Sequence, residues 1–282
     1  MYRMYIKYSI MLEQFMDYYR NLDITIDNNI QNEKVAVIVE PRKHKYLISV
    51  IKQVMSKFDK TWNLRIFGSD MNESYVNENI KGNYEFINMG INDLISPDAY
   101  SLLLQSNHFW NKIKEEHIII FQTDSFIINN DYEIPTKYPY LGARYTYTFN
   151  GKRVDEVNPI RGNDPMCGGF SYRQKSAMID CINNVTYDDI IQYRTSNNLS
   201  NDFFIDKFII AEDVFFEHAL TVLGYPSPSH TVQDEPAKFC IYYLNNVSEI
   251  DPLTVFGIHP FDKFNKHNID YICGELLTRV TP

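Results

Sequence analysis

Cysteine is scarce, and the four present, Cys167, Cys181, Cys240 and Cys273, are too far apart to form a CxxC pair. That spacing argues against a zinc knuckle or a disulfide framework and leads to an expectation of reduced, buried thiols in a cytoplasmic protein. Long apolar runs are also missing. None approaches the roughly 20 residues needed to cross a bilayer, and no signal-peptide pattern is evident. Positive charge is in deficit, with 27 Lys plus Arg against 36 Asp plus Glu and a formal net charge of -9. Such a balance disfavours a nonspecific polyanion binder, although a divalent cation can reverse the sign inside a local pocket for a charged small molecule. No useful repeat occurs, and no stretch reads as an interdomain linker.

What remains is a chain of 282 residues, 44% hydrophobic and 15% aromatic, rich enough for one large core or for a domain with a small attachment. We divide it into an N-terminal helical extension, residues 1–30, and one main domain, residues 31–282. Within the extension, Leu12 to Tyr19 carries apolar residues at helical spacing. Val35 to Val39 then reads as a buried strand with Glu40, Pro41 and Arg42 as its polar exit. HKYLISVIKQVMSKF has a helical repeat, and Asn63 to Phe67 predicts a second strand ending at Gly68. A helix is predicted over Tyr100 to Lys114, followed by a strand over Ile118 to Phe121. Strand and helix alternate, which favours an α/β sheet covered by helices.

The stretch HIIIFQTDSFIINN runs an apolar strand into Gln122, Thr123, Asp124 and Ser125. Its polar residues fall at the carboxyl end of a central strand, where open α/β sheets form binding crevices. Beyond Asp131 the chain is rich in turns and aromatics, and Gly168 and Gly169 permit close approach of the main chain because neither has a Cβ. Met178 to Ile182 is predicted to lie on a helix, and EDVFFEHAL to begin another.

Taken together, IIIFQTDS, YPYLGA, NDPMCGGFSYR and EDVFF resemble a family of uncharacterised glycosyltransferase-like proteins, over roughly residues 33 to 262. The resemblance implies a GT-A-like single α/β domain with a mixed central sheet flanked by helices. It also implies a metal-dependent transferase of the inverting type that moves a sugar from a nucleotide-sugar donor to a glycan or other hydroxyl-bearing acceptor, with Mn²⁺ or Mg²⁺ as cofactor. In many GT-A enzymes an Asp-x-Asp pair holds the metal and the donor diphosphate. The similar stretch here is Gln122, Thr123, Asp124, in which Gln122 offers an oxygen without a charge.

By the same resemblance Asp124 and His259 are the metal ligands. Glu40, Arg42, Gln122, Thr123, Asp124, Gly168 and Gly169 are donor-binding residues, with MCGGFSYR similar to a sugar-binding loop. Asn163, Asp164 and Ser171 are expected to meet the acceptor. Asp213 is the expected base that removes the acceptor proton, with Glu212 orienting the acceptor beside it. His230 and Asp234, and the aromatic rings of Tyr138, Tyr140 and Tyr145, are further candidates. Gln122 also supports a second reading, a catalytically weak protein that binds a nucleotide sugar or carbohydrate. A two-metal phosphodiesterase or nucleotidyltransferase fits less well, because no dense cluster of acids and histidines is present.

Overall fold

The computed structural model describes residues 9–92, 96–144, 148–149, 152–153, 166–198, 209–228, 238–241, 251–264 and 266–280. The strands in chain order are β1 (Thr25–Asp27), β2 (Lys34–Val39), β3 (Trp62–Gly68), β4 (Lys81–Asn83), β5 (Glu85–Asn88), β6 (His117–Phe121), β7 (Phe126–Ile127), β8 (Tyr140–Arg144), β9 (Thr148–Phe149), β10 (Lys152–Arg153), β11 (Met166–Gln174), β12 (Cys240–Ile241) and β13 (Gly257–Ile258). The helices are α1 (Ile10–Asn21), α2 (Leu47–Met55), α3 (Asp70–Asn79), α4 (Pro97–Leu104), α5 (Asn107–Trp110), α6 (Lys175–Asn184), α7 (Tyr187–Ser196), α8 (Glu212–Val222) and α9 (Lys266–Val280).

Nine strands form one mixed sheet in the order β5-β3-β2-β6-β11-β8-β12-β13-β7. The first four run parallel, and β11 turns antiparallel to β6 with Phe170 opposite Phe121. Parallel central strands covered on both faces read as continuous apolar runs, as KVAVIV does in β2. Its residues divide by alternation. Ala36 and Ile38 join a core with Leu12, Phe15, Met16 and Tyr19 of α1, the apolar face of α2, and Ile269 and Ile272 of α9. Val35 and Val37 join a second core with Leu104, Phe109, Trp110 and Phe216, under α4, α5 and α8. The α/β architecture and the strands after Lys34 are thus as expected. The helix expected at Leu12 to Tyr19 is α1, and its Phe15 ring lies 4.9 Å from Phe126 in the main core.

Two expectations need correction. Tyr100 to Lys114 is not one helix, because Ser106 takes an extended conformation and caps α5 by accepting from Phe109 N. Trp110 then donates its indole N–H to Leu104 O at 2.6 Å, which holds the break. MCGGFSYR is likewise not a loop but most of β11, a buried central strand. Ser171 and Arg173 alternate with Phe170 and Tyr172 along it, a strand period of two.

Candidate functional site

The exits of β2 and β6, the start of β11, the first turn of α8 and the segment after β13 enclose a cleft of about 560 Å³. It opens at the carboxyl end of the parallel strands, the usual place for a crevice in such sheets. Glu40 and Arg42 form one wall. The α3 N-terminus fixes that wall: Asn72 closes a capping box with Ser69 and donates its amide to Glu40 O (2.6 Å) and Arg42 O (3.1 Å), and Ser69 Oγ donates to Pro41 O. Arg42 grips the Glu40 carboxylate with Nε at 2.8 Å and Nη2 at 2.7 Å, a bidentate pair with the Arg42 side chain 39% exposed.

Gln122, Thr123 and Asp124 line the centre, on a tight turn closed by Ser125 N donating to Gln122 O. His259 reaches this turn from beyond β13. Its Nδ1 stands 3.1 Å from Ser125 Oγ and 3.3 Å from Asp124 Oδ1. Burial alone would lower the imidazole pKa. The charge of Asp124 and the neighbouring Cys167 outweigh it and push the value up to about 10, so the ring is a cation at neutral pH. In this state His259 Nδ1 is the ion-pair partner of Asp124. His44, in the same cleft, is pushed the other way, mainly by burial.

The glycine pair explains how these groups come so close. A Cβ on Gly169 would land on the His259 ring and come within 2.8 Å of Gln122 Oε1. A Cβ on Gly168 would strike Glu212 Oε1 and lie 2.6 Å from Arg173 Nη2. Helix α8 meets the cleft with its first turn, so Glu212 and Asp213 both line it. Acids are favoured at a helix N-terminus by the exposed N–H groups there. Asp213 Oδ1 accepts from Val214 N at 2.8 Å, and Oδ2 faces Gly168 N at 3.4 Å. Glu212 Oε1 accepts from Arg173 Nη2 at 2.7 Å.

The cleft thus gathers Glu40, Arg42, Gln122, Thr123, Asp124, Gly168, Gly169, Glu212, Asp213 and His259. Ser171 does not line it. It is fully buried beneath, donating to Gly168 O at 2.8 Å and accepting from Arg173 Nε at 3.0 Å, so its expected contact with an acceptor gives way to a structural role. Asn163, Asp164, Tyr145, His230 and Asp234 lie outside the described residues. Tyr140 is buried against Arg173. Tyr100, Cys167, Tyr46 and Asp262 line the cleft without having been singled out from the sequence for it. Among them, Tyr100 carries a hydroxyl whose pKa is raised by burial and by the charge of Glu212.

Among the described residues, no helix is long and apolar enough to cross a membrane, and no three His, Cys, Asp or Glu side chains converge as a metal cluster. The fold and cleft define an α/β domain with a mixed sheet and an acid-rich crevice at the carboxyl ends of its parallel strands. Residues 83–259 match a family described as a protein of unknown function (DUF5672), and over that span, more than half its length, the chain belongs to this family. No curated protein matches it.

Proposed function

We propose that the protein is a GT-A-type glycosyltransferase that moves a sugar from a nucleotide-sugar donor to an acceptor hydroxyl with inversion. One observation carries the reading: the two strand exits, the glycine pair and the acids of α8, far apart in sequence, meet in a single cleft of about 560 Å³, within the size of a small-ligand site. In this reading the Glu40–Arg42 wall meets the nucleotide, and Asp124 faces the diphosphate. Glu40, Asp124, Glu212, Asp213 and Asp262 make the cleft rich in carboxylates, which opposes a diphosphate unless a cation enters with it.

The donor set fits such an ion when phosphate completes it. Asp124 and the Gln122 amide oxygen would hold Mg²⁺ or Mn²⁺ from the protein side, and diphosphate and water would supply the other oxygens. When bound, the ion supplies positive charge toward the leaving diphosphate. His259 holds Asp124 in place and adds a second positive charge nearby. Asp213 accepts the acceptor's hydroxyl proton as the oxygen forms its bond to the anomeric carbon, and the bond from that carbon to the diphosphate oxygen breaks with its electron pair leaving on the diphosphate.

The test is a panel of nucleotide sugars with Mg²⁺ or Mn²⁺, recording donor-dependent release of the nucleoside diphosphate. Release with at least one donor is expected, and no release and no binding with any donor would reject the reading. Gln122, in the place of a first carboxylate, favours a second reading, a binding protein of low turnover. Tight donor binding without release would select it.

A further inference from the structure

We propose that Arg173 is a positioning residue of this cleft: from beneath its floor, it fixes the Glu212 carboxylate so that the second carboxylate oxygen receives a hydroxyl of the donor's sugar ring. Arg173 is fully buried and does not line the cleft. Its guanidinium lies over two rings, 5.1 Å from the Tyr140 centroid and 5.4 Å from that of Phe216. Nε donates to Ser171 Oγ, and Nη2 donates to Glu212 Oε1 at 2.7 Å. Two aromatic rings and two hydrogen bonds thus hold the planar fork, a geometry a lysine ammonium cannot reproduce.

Stability alone is a weak reason for such a pair. Buried ion pairs are often no better than apolar residues of the same volume, because desolvation offsets their attraction. What the pair does achieve is a carboxylate with one oxygen committed to Arg173. Oε2 makes no hydrogen bond to a described residue, and Glu212 borders the cleft. A carboxylate oxygen only accepts, so the matching ligand group is a donor such as a sugar hydroxyl.

The neighbouring residues say which sugar. Gly168 and Gly169 are successive on β11, about 3.3 Å apart along a strand. One packs under Glu212 and the other under His259 and Gln122. Successive strand residues face opposite ways, so the two groups flank the strand end, and Glu212, Gln122 and Asp124 line one cleft, within reach of a ring attached to a diphosphate held there. The inference rests on the nucleotide-sugar reading.

Calorimetry of a panel of nucleoside diphosphates and their hexose conjugates with Mg²⁺ tests it, using folded variants checked by near-UV circular dichroism. The wild type is expected to bind a hexose conjugate more tightly than its nucleoside diphosphate. Arg173→Met should erase that difference, about tenfold or more for a hydrogen bond to a charged group, while leaving nucleoside diphosphate affinity within about twofold. Arg173→Lys should restore part of it, and Arg173→Met added to Glu212→Gln should cost no more than either change alone. A folded Arg173→Met that keeps the full difference, or that weakens both ligands equally, would overturn the proposal. Should Arg173→Met not fold, Glu212→Gln with an intact hexose difference would overturn it as well. If no nucleoside diphosphate binds the wild type, the nucleotide-sugar reading fails and this proposal falls with it; binding of the diphosphate without the Arg173 effect sinks this proposal alone.

Discussion

The side-chain amide of Gln53 and the backbone of Ile127 are bonded to each other twice, Gln53 Nε2 donating to Ile127 O at 2.6 Å and Ile127 N donating to Gln53 Oε1 at 2.9 Å. A fully buried glutamine on α2 thereby replaces a strand partner for the short β7, three residues beyond Asp124. Gln53→Leu should leave both backbone groups buried and unpaired, costing about 2–5 kcal/mol. Urea denaturation with an unchanged m-value and a midpoint within error of wild type would show that the pair carries no such weight.

Asp124→Asn keeps the side-chain volume and removes the charge. If Asp124 anchors the ion that accompanies the diphosphate, Mg²⁺-dependent donor affinity should fall by about tenfold or more, since even outer-shell changes at metal sites cost that much. Donor affinity without the ion should change far less. Calorimetry giving equal Mg²⁺-dependent affinity for the two proteins would remove Asp124 from that role.

Asp213→Asn should separate chemistry from binding. Donor affinity is expected to stay near wild type, while sugar transfer slows by about 100-fold or more, the usual scale of general-base catalysis. Normal turnover across pH in the folded variant would rule out proton abstraction by Asp213. A loss of donor affinity with no selective loss in rate would make it a binding residue instead.

His218, on the far side of α8, predicts how stability depends on acid. Arg194 Nη1 donates to its Nε2 at 2.6 Å, so the ring's own proton is on Nδ1, which donates to Val214 O. Burial, with the added charge of Arg194 and against the pull of the Val214 carbonyl, lowers the pKa to about 4. A histidine depressed on folding takes up its proton more readily unfolded. Its contribution, on the order of 3 kcal/mol, is present above pH 6.5 and lost as pH falls toward 4. His218→Gln should flatten the stability profile between those values relative to wild type. Parallel profiles for the two proteins, measured by denaturant titration, would refute the assignment.

The strands after Lys34 were legible because burial on both faces leaves an unbroken apolar run, as in Val35 to Val39 and Ile118 to Phe121. Their polar exits followed, and with them Glu40, Arg42 and Asp124. The glycine pair was visible, but its setting was not: two adjacent glycines suggest a turn, whereas Phe170-Ser171-Tyr172-Arg173 carries the period of a strand. That alternation was the signal for Arg173, a charge at an inward position. The helix break at Ser106 escaped because apolar spacing alone does not reveal a serine that caps the next turn. Tyr100 and Cys167 reach the cleft only through tertiary packing, which local sequence does not encode.

Continuing the pairing of Phe170 with Phe121 sets Gly169 against Gln122. A slip of two residues is the smallest that keeps each apolar side chain on its own face. In one direction it would bring Ser171 to that place, and in the other Cys167, and either side chain would occupy the space of the His259 ring. The cleft therefore proofreads the sheet that builds it: a misregistered β11 cannot close around His259, so correct strand pairing and an assembled site arrive together.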